Sequence, residues 1–139
     1  MTLYILDTDH LSLYQRGDAK VGARLGRIPS HQIAITVVTA EEAIRGRFSR
    51  IKAAQTEAAK IQAYHWLNET LELLKDFSVL PYDQNASTAY ESLRQQKLRV
   101  GTQDLRIAAV ALAIGATLVT RNQKDFGQIV GLRLEDWAR

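Results

Sequence analysis

The stretch "QDLRIAAVALAIGATLVTRNQKDF", residues 103–126, decides the fold. Its small and aliphatic residues predict a helix over 103–115, and "TLVT" at 117–120 follows as a short β-favouring strand. Asp104 opens that helix and Asp125 comes just after the strand, so two carboxylates bracket an apolar unit.

Outward from there the same alternation recurs. "LYIL" (3–6), "QIAIT" (32–36) and "SVLP" (78–81) read as further strands, and "LRL" (132–134) as a fifth. Helices fit 9–16, 18–28 and 84–98, with a long helical region over 37–76 that is expected to break near Gly46–Ile51. Strand followed by helix, repeated, predicts an α/β fold: a central, mostly parallel sheet of four to five strands with helices on both faces. No repeat, low-complexity tract or linker interrupts it, so residues 1–139 are expected to form one domain. In the second part of the long helical region, Ile61, Tyr64, Leu67, Leu71 and Leu74 recur at three- and four-residue spacing. That stripe is expected to face the core, with a partner helix as the alternative.

Composition narrows the class. With 46% hydrophobic and 24% charged residues, the 139-residue chain is neither disordered nor fibrous. Apolar runs such as "VALAIGATLV" fall well short of the roughly 20 residues that span a bilayer, and no leader pattern opens the chain. A soluble, cytoplasmic protein is expected, with no membrane partner. The absence of cysteine excludes disulfides and thiolate metal sites. The histidines at 10, 31 and 65 are too scattered for a zinc site.

In open α/β sheets, ligands bind beyond the carboxyl ends of the strands. "YILDTDHLSL" (4–13) places Asp7 at the end of its strand, with Asp9 and His10 beside it. "TVVTAEEAIRG" (36–46) puts Glu41 and Glu42 early in the helix after the second strand. Each acid has a structural alternative. Thr39 with Glu42 matches a capping box, and Asn122 with Asp125 matches a reciprocal cap. Asp104 can complement its helix dipole, and Asp9 can serve as an N-cap. Caps leave unexplained why Asp7 ends a strand, and why so apolar a helix follows Asp104.

Taken together, "YILDTDHLSL", "ITVVTAEEAIRG", "GTQDLRIAAVALAIGATLVTRNQKDF" and the closing "GLRLEDW" resemble the PIN-domain ribonucleases, in particular toxins of the VapC type. The resemblance runs in order from Leu3 to Trp137. It implies a PIN-like three-layer fold and a metal-dependent endoribonuclease, the toxin of a toxin–antitoxin pair. By motif, Asp7, Glu42, Asp104 and Asp125 match the family's acidic positions, and Thr8, Thr120 and Asn122 its polar neighbours. Asp9 is a further supporting candidate. Arg121 departs from the pattern, since such toxins commonly carry another asparagine there. The resemblance also implies an RNA substrate, a cognate antitoxin and a homodimer.

The chemistry of the cluster points the same way. Hydrolysing a phosphodiester calls for an activated water and for neutralised charge on the reacting phosphate, both of which Mg²⁺ or Mn²⁺ supplies. Hard divalent ions take oxygen ligands, hence carboxylates rather than thiols. Asp7 and Asp104 are the leading candidates for direct ligands, followed by Glu42 and Asp125. The chain carries 18 Lys and Arg against 15 Asp and Glu. Setting the four acids aside leaves a clearly basic remainder, suited to an RNA backbone. Arg45, Arg47 and Arg50 are candidate phosphate contacts, with Arg121 at the acidic cluster itself. Tyr14, Phe48, Tyr90 and Trp137 are candidates for base stacking. Two other readings stay open. "DTD" after a first strand also resembles the haloacid-dehalogenase phosphatases, although no D-x-D-G-T follows and "QDLRIAA" is not a G-D-x-x-D segment. The third is a PIN-like module that binds RNA or a partner without cleaving.

Overall fold

Six of seven helices in the computed structural model, which describes residues 2–139, begin on a side chain that accepts a backbone N–H three residues on. Asp7 caps α1 (Thr8–Gln15), Asp18 caps α2 (Ala19–Arg27) and Thr36 caps α3 (Val37–Ala53). Thr56 caps α4 (Glu57–Leu74), Asp83 caps α5 (Gln84–Gln95) and Asn122 caps α7 (Gln123–Phe126). Each such oxygen satisfies a donor that the helix itself leaves unpaired. The exception is α6 (Thr102–Ile114), which starts at Gly101 without a side-chain cap. It ends on Gly115, whose φ of 69° is left-handed and suits a residue lacking Cβ.

Between these helices run five short strands: β1 (Tyr4–Leu6), β2 (Ile33–Thr36), β3 (Ser78–Leu80), β4 (Thr117–Val119) and β5 (Arg133–Glu135). A 3₁₀ turn, Ser30–Gln32, leads into β2. The order across the sheet is β3-β2-β1-β4-β5, and every pairing is parallel. Ile5 aligns with Ala34 and Leu118, so successive residues of β1 face opposite layers. Ile5 and Leu118 pack under α5 and α6 with Leu93, Ile107 and Phe126. Leu6, Ile33, Ile35 and Val119 pack on the other face with Leu11, Val21 and Trp137. The result is helix, sheet and helix in three layers. No described helix is long and apolar enough to cross a membrane.

Two expectations are corrected. The long helical region does not break at Gly46–Ile51: α3 runs unbroken to Ala53, and the chain turns at Ala54–Thr56. Glycine costs only about 1 kcal/mol in a helix interior, too little to stop 17 residues, whereas the Thr56 cap starts a new helix outright. The α4 stripe faces the core only at its C-terminal end, where Leu74 packs against the cluster around Leu6 and Ile35. Ile61 is 71% exposed, Tyr64 54% and Leu71 42%, with Leu67 and Leu74 half-buried. The buried positions of α4 are Ala63 and Thr70. Trp66 is covered by the guanidinium of Arg47 at 3.9 Å and that of Arg50 at 4.5 Å.

Candidate active site

Parallel pairing puts the carboxyl ends of β1, β2 and β4 on one edge of the sheet. The chain leaves β1 toward β2 and β3, then returns to lay β4 on its other side. Such a switch in direction opens a crevice between β1 and β4. Asp7 stands there, 6% exposed, and its backbone N–H donates to the Val119 carbonyl at 3.0 Å.

Asp7 is also the N-cap of α1: its Oδ1 accepts the His10 backbone N–H at 2.7 Å. Capping thus does account for a carboxylate at the strand's end, contrary to the expectation above, and Asp9 is not the cap. Asp9 instead receives a two-pronged hydrogen bond from Arg121, at 2.6 and 2.7 Å. That bond is the main cause holding the Asp9 carboxyl below its usual range.

Glu42 is released from the capping box expected of it. Thr39 donates its backbone N–H to Thr36 Oγ1 at 3.0 Å, so the cap lies one turn earlier. Glu42 Oε1 accepts the Thr8 hydroxyl at 2.6 Å, a contact between α1 and α3. Asp125 does take part in the reciprocal cap: its N–H donates to Asn122 Oδ1 at 3.2 Å, and Asn122 Nδ2 donates to Asp125 Oδ2 at 3.0 Å. Thr120, wholly buried, accepts the Asn122 N–H at 2.9 Å and shapes that turn.

Asp104 lies half-buried in the first turn of α6. Burial, and then the charges of Glu42, Asp7 and Asp125, push its carboxyl above the usual range. Three segments far apart in the chain therefore bring their acids within electrostatic reach of Asp104. No cation is among the charges acting on Asp104. Carboxylate oxygens gathered in this way fit a hard divalent ion.

A tighter group is formed by Asp7, Asp9 and His10, with ligand atoms within 4.8 Å of one another. It is a poor ion site as built. Arg121 occupies Asp9, and His10 Nε2 accepts the Trp137 backbone N–H at 3.2 Å.

The PIN-domain family model matches residues 4–132. The ribonuclease VapC1 of Haemophilus influenzae strain R2866 is 30% identical over 141 aligned residues, covering 99% of each chain. The chain belongs to the PIN-domain family, in its VapC branch. Among solved structures, VapBC2 of Rickettsia felis, crystallised with a DNA fragment from its promoter, superposes with a TM-score of 0.79 at 26% identity. That match covers 98% of this chain and 99% of the other. A toxin–antitoxin complex from Klebsiella pneumoniae gives a TM-score of 0.70 at 26% identity, covering 93% and 94%. The three-layer fold expected from the sequence is the one observed in these PIN relatives.

The basic candidates are placed unevenly around this PIN site. Arg45 is exposed and paired with Glu41. Arg50 is exposed above Trp66. Arg47 is committed to the interior of the helical hairpin: besides stacking on Trp66, it donates to Thr70 Oγ1 at 2.9 Å and to Gln15 Oε1 at 3.3 Å. Of the aromatic candidates, Trp137 is core and Tyr14 packs edge-on against Phe77. Tyr90 lies under Arg106, and Phe48 is 57% exposed. His10, set aside with the other histidines in the sequence, is wholly buried against Asp7. Its adjacency to two aspartates was the only local signal.

Proposed function

We propose that this chain is the endoribonuclease toxin of a toxin–antitoxin pair, acting in the cytoplasm as one PIN unit over residues 1–139. Mg²⁺ or Mn²⁺ is held by Asp7, Glu42, Asp104 and Asp125. The observation that carries this reading is Asp104, half-buried at the start of α6, whose carboxyl is raised by burial and then by the charges of Glu42, Asp7 and Asp125. When bound, such an ion activates water near neutral pH and neutralises charge on the scissile phosphate.

The chain's own residues hold the ligands in place. Thr8 fixes one oxygen of Glu42, and Asn122 fixes one of Asp125. Arg121, anchored by Asp9, sets a guanidinium at the rim of the acidic cluster, in reach of an RNA phosphate. Arg45 and Arg50 extend that basic rim; Arg47 is assigned to folding instead. A groove lined by Val37, Glu41, Tyr82, Gln103 and Arg106 adjoins Glu42 and Asp104 and offers a path for single-stranded RNA. Phe48, Ile61 and Tyr64, exposed on α3 and α4, are apolar surface suited to the antitoxin or to a second copy in a homodimer.

The test is cleavage of RNA by Asp7→Asn and Asp104→Asn proteins, stripped with EDTA and reloaded with Mg²⁺ or Mn²⁺. Cleavage is expected to fall by orders of magnitude in each, with circular dichroism unchanged. Wild-type rates in both variants would refute the metal-nuclease reading. Phosphate release from monoesters, with no RNA cut, would favour the phosphatase alternative.

A further inference from the structure

His10 sits at 0% exposure on the first turn of α1, and no role given above uses its ring. Its Nε2 accepts the Trp137 N–H, across 127 residues of sequence. A ring nitrogen that accepts carries no hydrogen, so the imidazole hydrogen is on Nδ1. Nδ1 has no well-formed hydrogen bond, but it faces Asp7 Oδ1 at 3.3 Å. Asp136 Oδ1 stands 3.5 Å from Nε2 and is already taken by the Ala138 N–H at 2.9 Å. A hydrogen on Nε2 would confront the Trp137 donor and leave that amide unpaired.

Asp7 Oδ1 thus accepts the His10 backbone N–H at 2.7 Å, and the ring nitrogen of the same residue faces it at 3.3 Å. Oδ2 accepts no hydrogen bond among the described residues, which leaves it for a cation. The base of this arrangement is firm. Trp137 is 1% exposed, its ring lies 5.2 Å from that of Tyr4, and its Nε1 donates to Glu135 at 2.9 Å.

We propose that His10 is a positioning residue: seated on the Trp137 amide, it directs its Nδ1–H at Asp7 Oδ1 and so fixes Oδ2 for the divalent ion. The inference rests on the metal-nuclease reading and adds a residue to it. Ligand-orienting neighbours of this kind typically change metal affinity by about 10- to 100-fold when removed.

Two amides divide the ring's functions. His10→Asn places an N–H near the Nδ1 position, while His10→Gln reaches the Nε2 position and has no donor toward Asp7. Mn²⁺ dissociation constants, from the EPR signal of free Mn²⁺, are to be set beside thermal melts in EDTA. His10→Gln is expected to weaken Mn²⁺ binding about tenfold or more, and His10→Asn to stay near wild type, whichever melts lower. Equal affinity in His10→Gln and wild type overturns the proposal, as does loss in proportion to melting temperature in both. Wild-type protein with ¹⁵N-labelled histidine gives a reading that needs no variant to fold: an Nδ1–H tautomer supports the proposal and an Nε2–H tautomer overturns it. Absence of Mn²⁺ binding by wild type removes the metal reading and this inference together; binding by wild type with an unaffected His10→Gln removes this inference alone.

Discussion

At Asp104, burial and three like charges act in the same direction. A carboxyl held above its unfolded pKa binds more proton folded than unfolded, so stability falls as pH rises through the interval between the two values. Asp9 behaves oppositely: its contribution is present above the unfolded value near 3.9 and is lost as pH falls through its depressed folded value. Asp104→Asn should therefore raise the melting temperature of the metal-free protein at neutral pH and flatten its decline from about pH 4 upward. The same variant should gain less than wild type when Mn²⁺ is added. If Asp104 only complements the α6 dipole, the substitution instead lowers stability by roughly 0.3–1 kcal/mol with or without metal. Melts in EDTA and in Mn²⁺ between pH 4 and 8 distinguish the two. The position of Asp104 at the start of α6 was legible because the apolar helix after it has a clear pattern. The cap made by Asp7 was missed, because a side chain can cap a helix with one oxygen and leave the other free. The burial of His10 was not legible beyond its adjacency to two aspartates, since its partner Trp137 lies at the far end of the chain.

The starts of α2 and α5, each behind a capping Asp, were readable because the cap is a contact between near neighbours, whereas the cap at Thr56 was missed and that of α3 lies at Thr36 rather than Thr39. The α3–α4 hairpin was misread because part of its packing is a cation on an aromatic ring. Arg47 lies on Trp66 and reaches Thr70 and Gln15, so a cation fills the position that spacing assigned to leucines. From sequence, Arg45, Arg47 and Arg50 were one basic cluster. Their surroundings separate them. Arg47→Ala should destabilise the protein by about 1–2 kcal/mol, through the lost stacking on Trp66 and the lost hydrogen bonds to Thr70 and Gln15, and leave the salt dependence of RNA binding unchanged. Arg45→Gln with Arg50→Gln should cost little stability and flatten the salt dependence by roughly 0.7 log units per lost phosphate contact. Urea melts and RNA titrations at several salt concentrations check both. A salt slope that changes with Arg47→Ala would return that residue to the RNA surface.

On the scale of the whole molecule, strand order is what makes the site. The strands could be recognised one by one, but nothing local says that β1 lies between β2 and β4, and only that order collects Asp7, Glu42, Asp104 and Asp125. The acids come from the end of β1, the second turn of α3, the first turn of α6 and the short α7. An ion that binds all four must therefore bind the assembled sheet and not the dispersed chain. Its stabilisation follows RT ln(1 + [L]/Kd), about 2.7 kcal/mol at a hundredfold excess over Kd, or roughly 10 °C in Tm for a chain of this size. The pattern of hydrogen exchange carries more information than the size of the shift. Mn²⁺ should slow local opening in all four segments at once, while amides of α4 that exchange by local fraying keep their rates. Monovalent salt at equal ionic strength screens the repulsion without bridging the segments, so it should reproduce only part of the shift. In Asp7→Asn, protection by Mn²⁺ should weaken in α6 and α7 as well as around β1, because one missing ligand loosens a shared ion. Protection confined to the segment around Asp7 would mean that the four carboxylates do not act as one site.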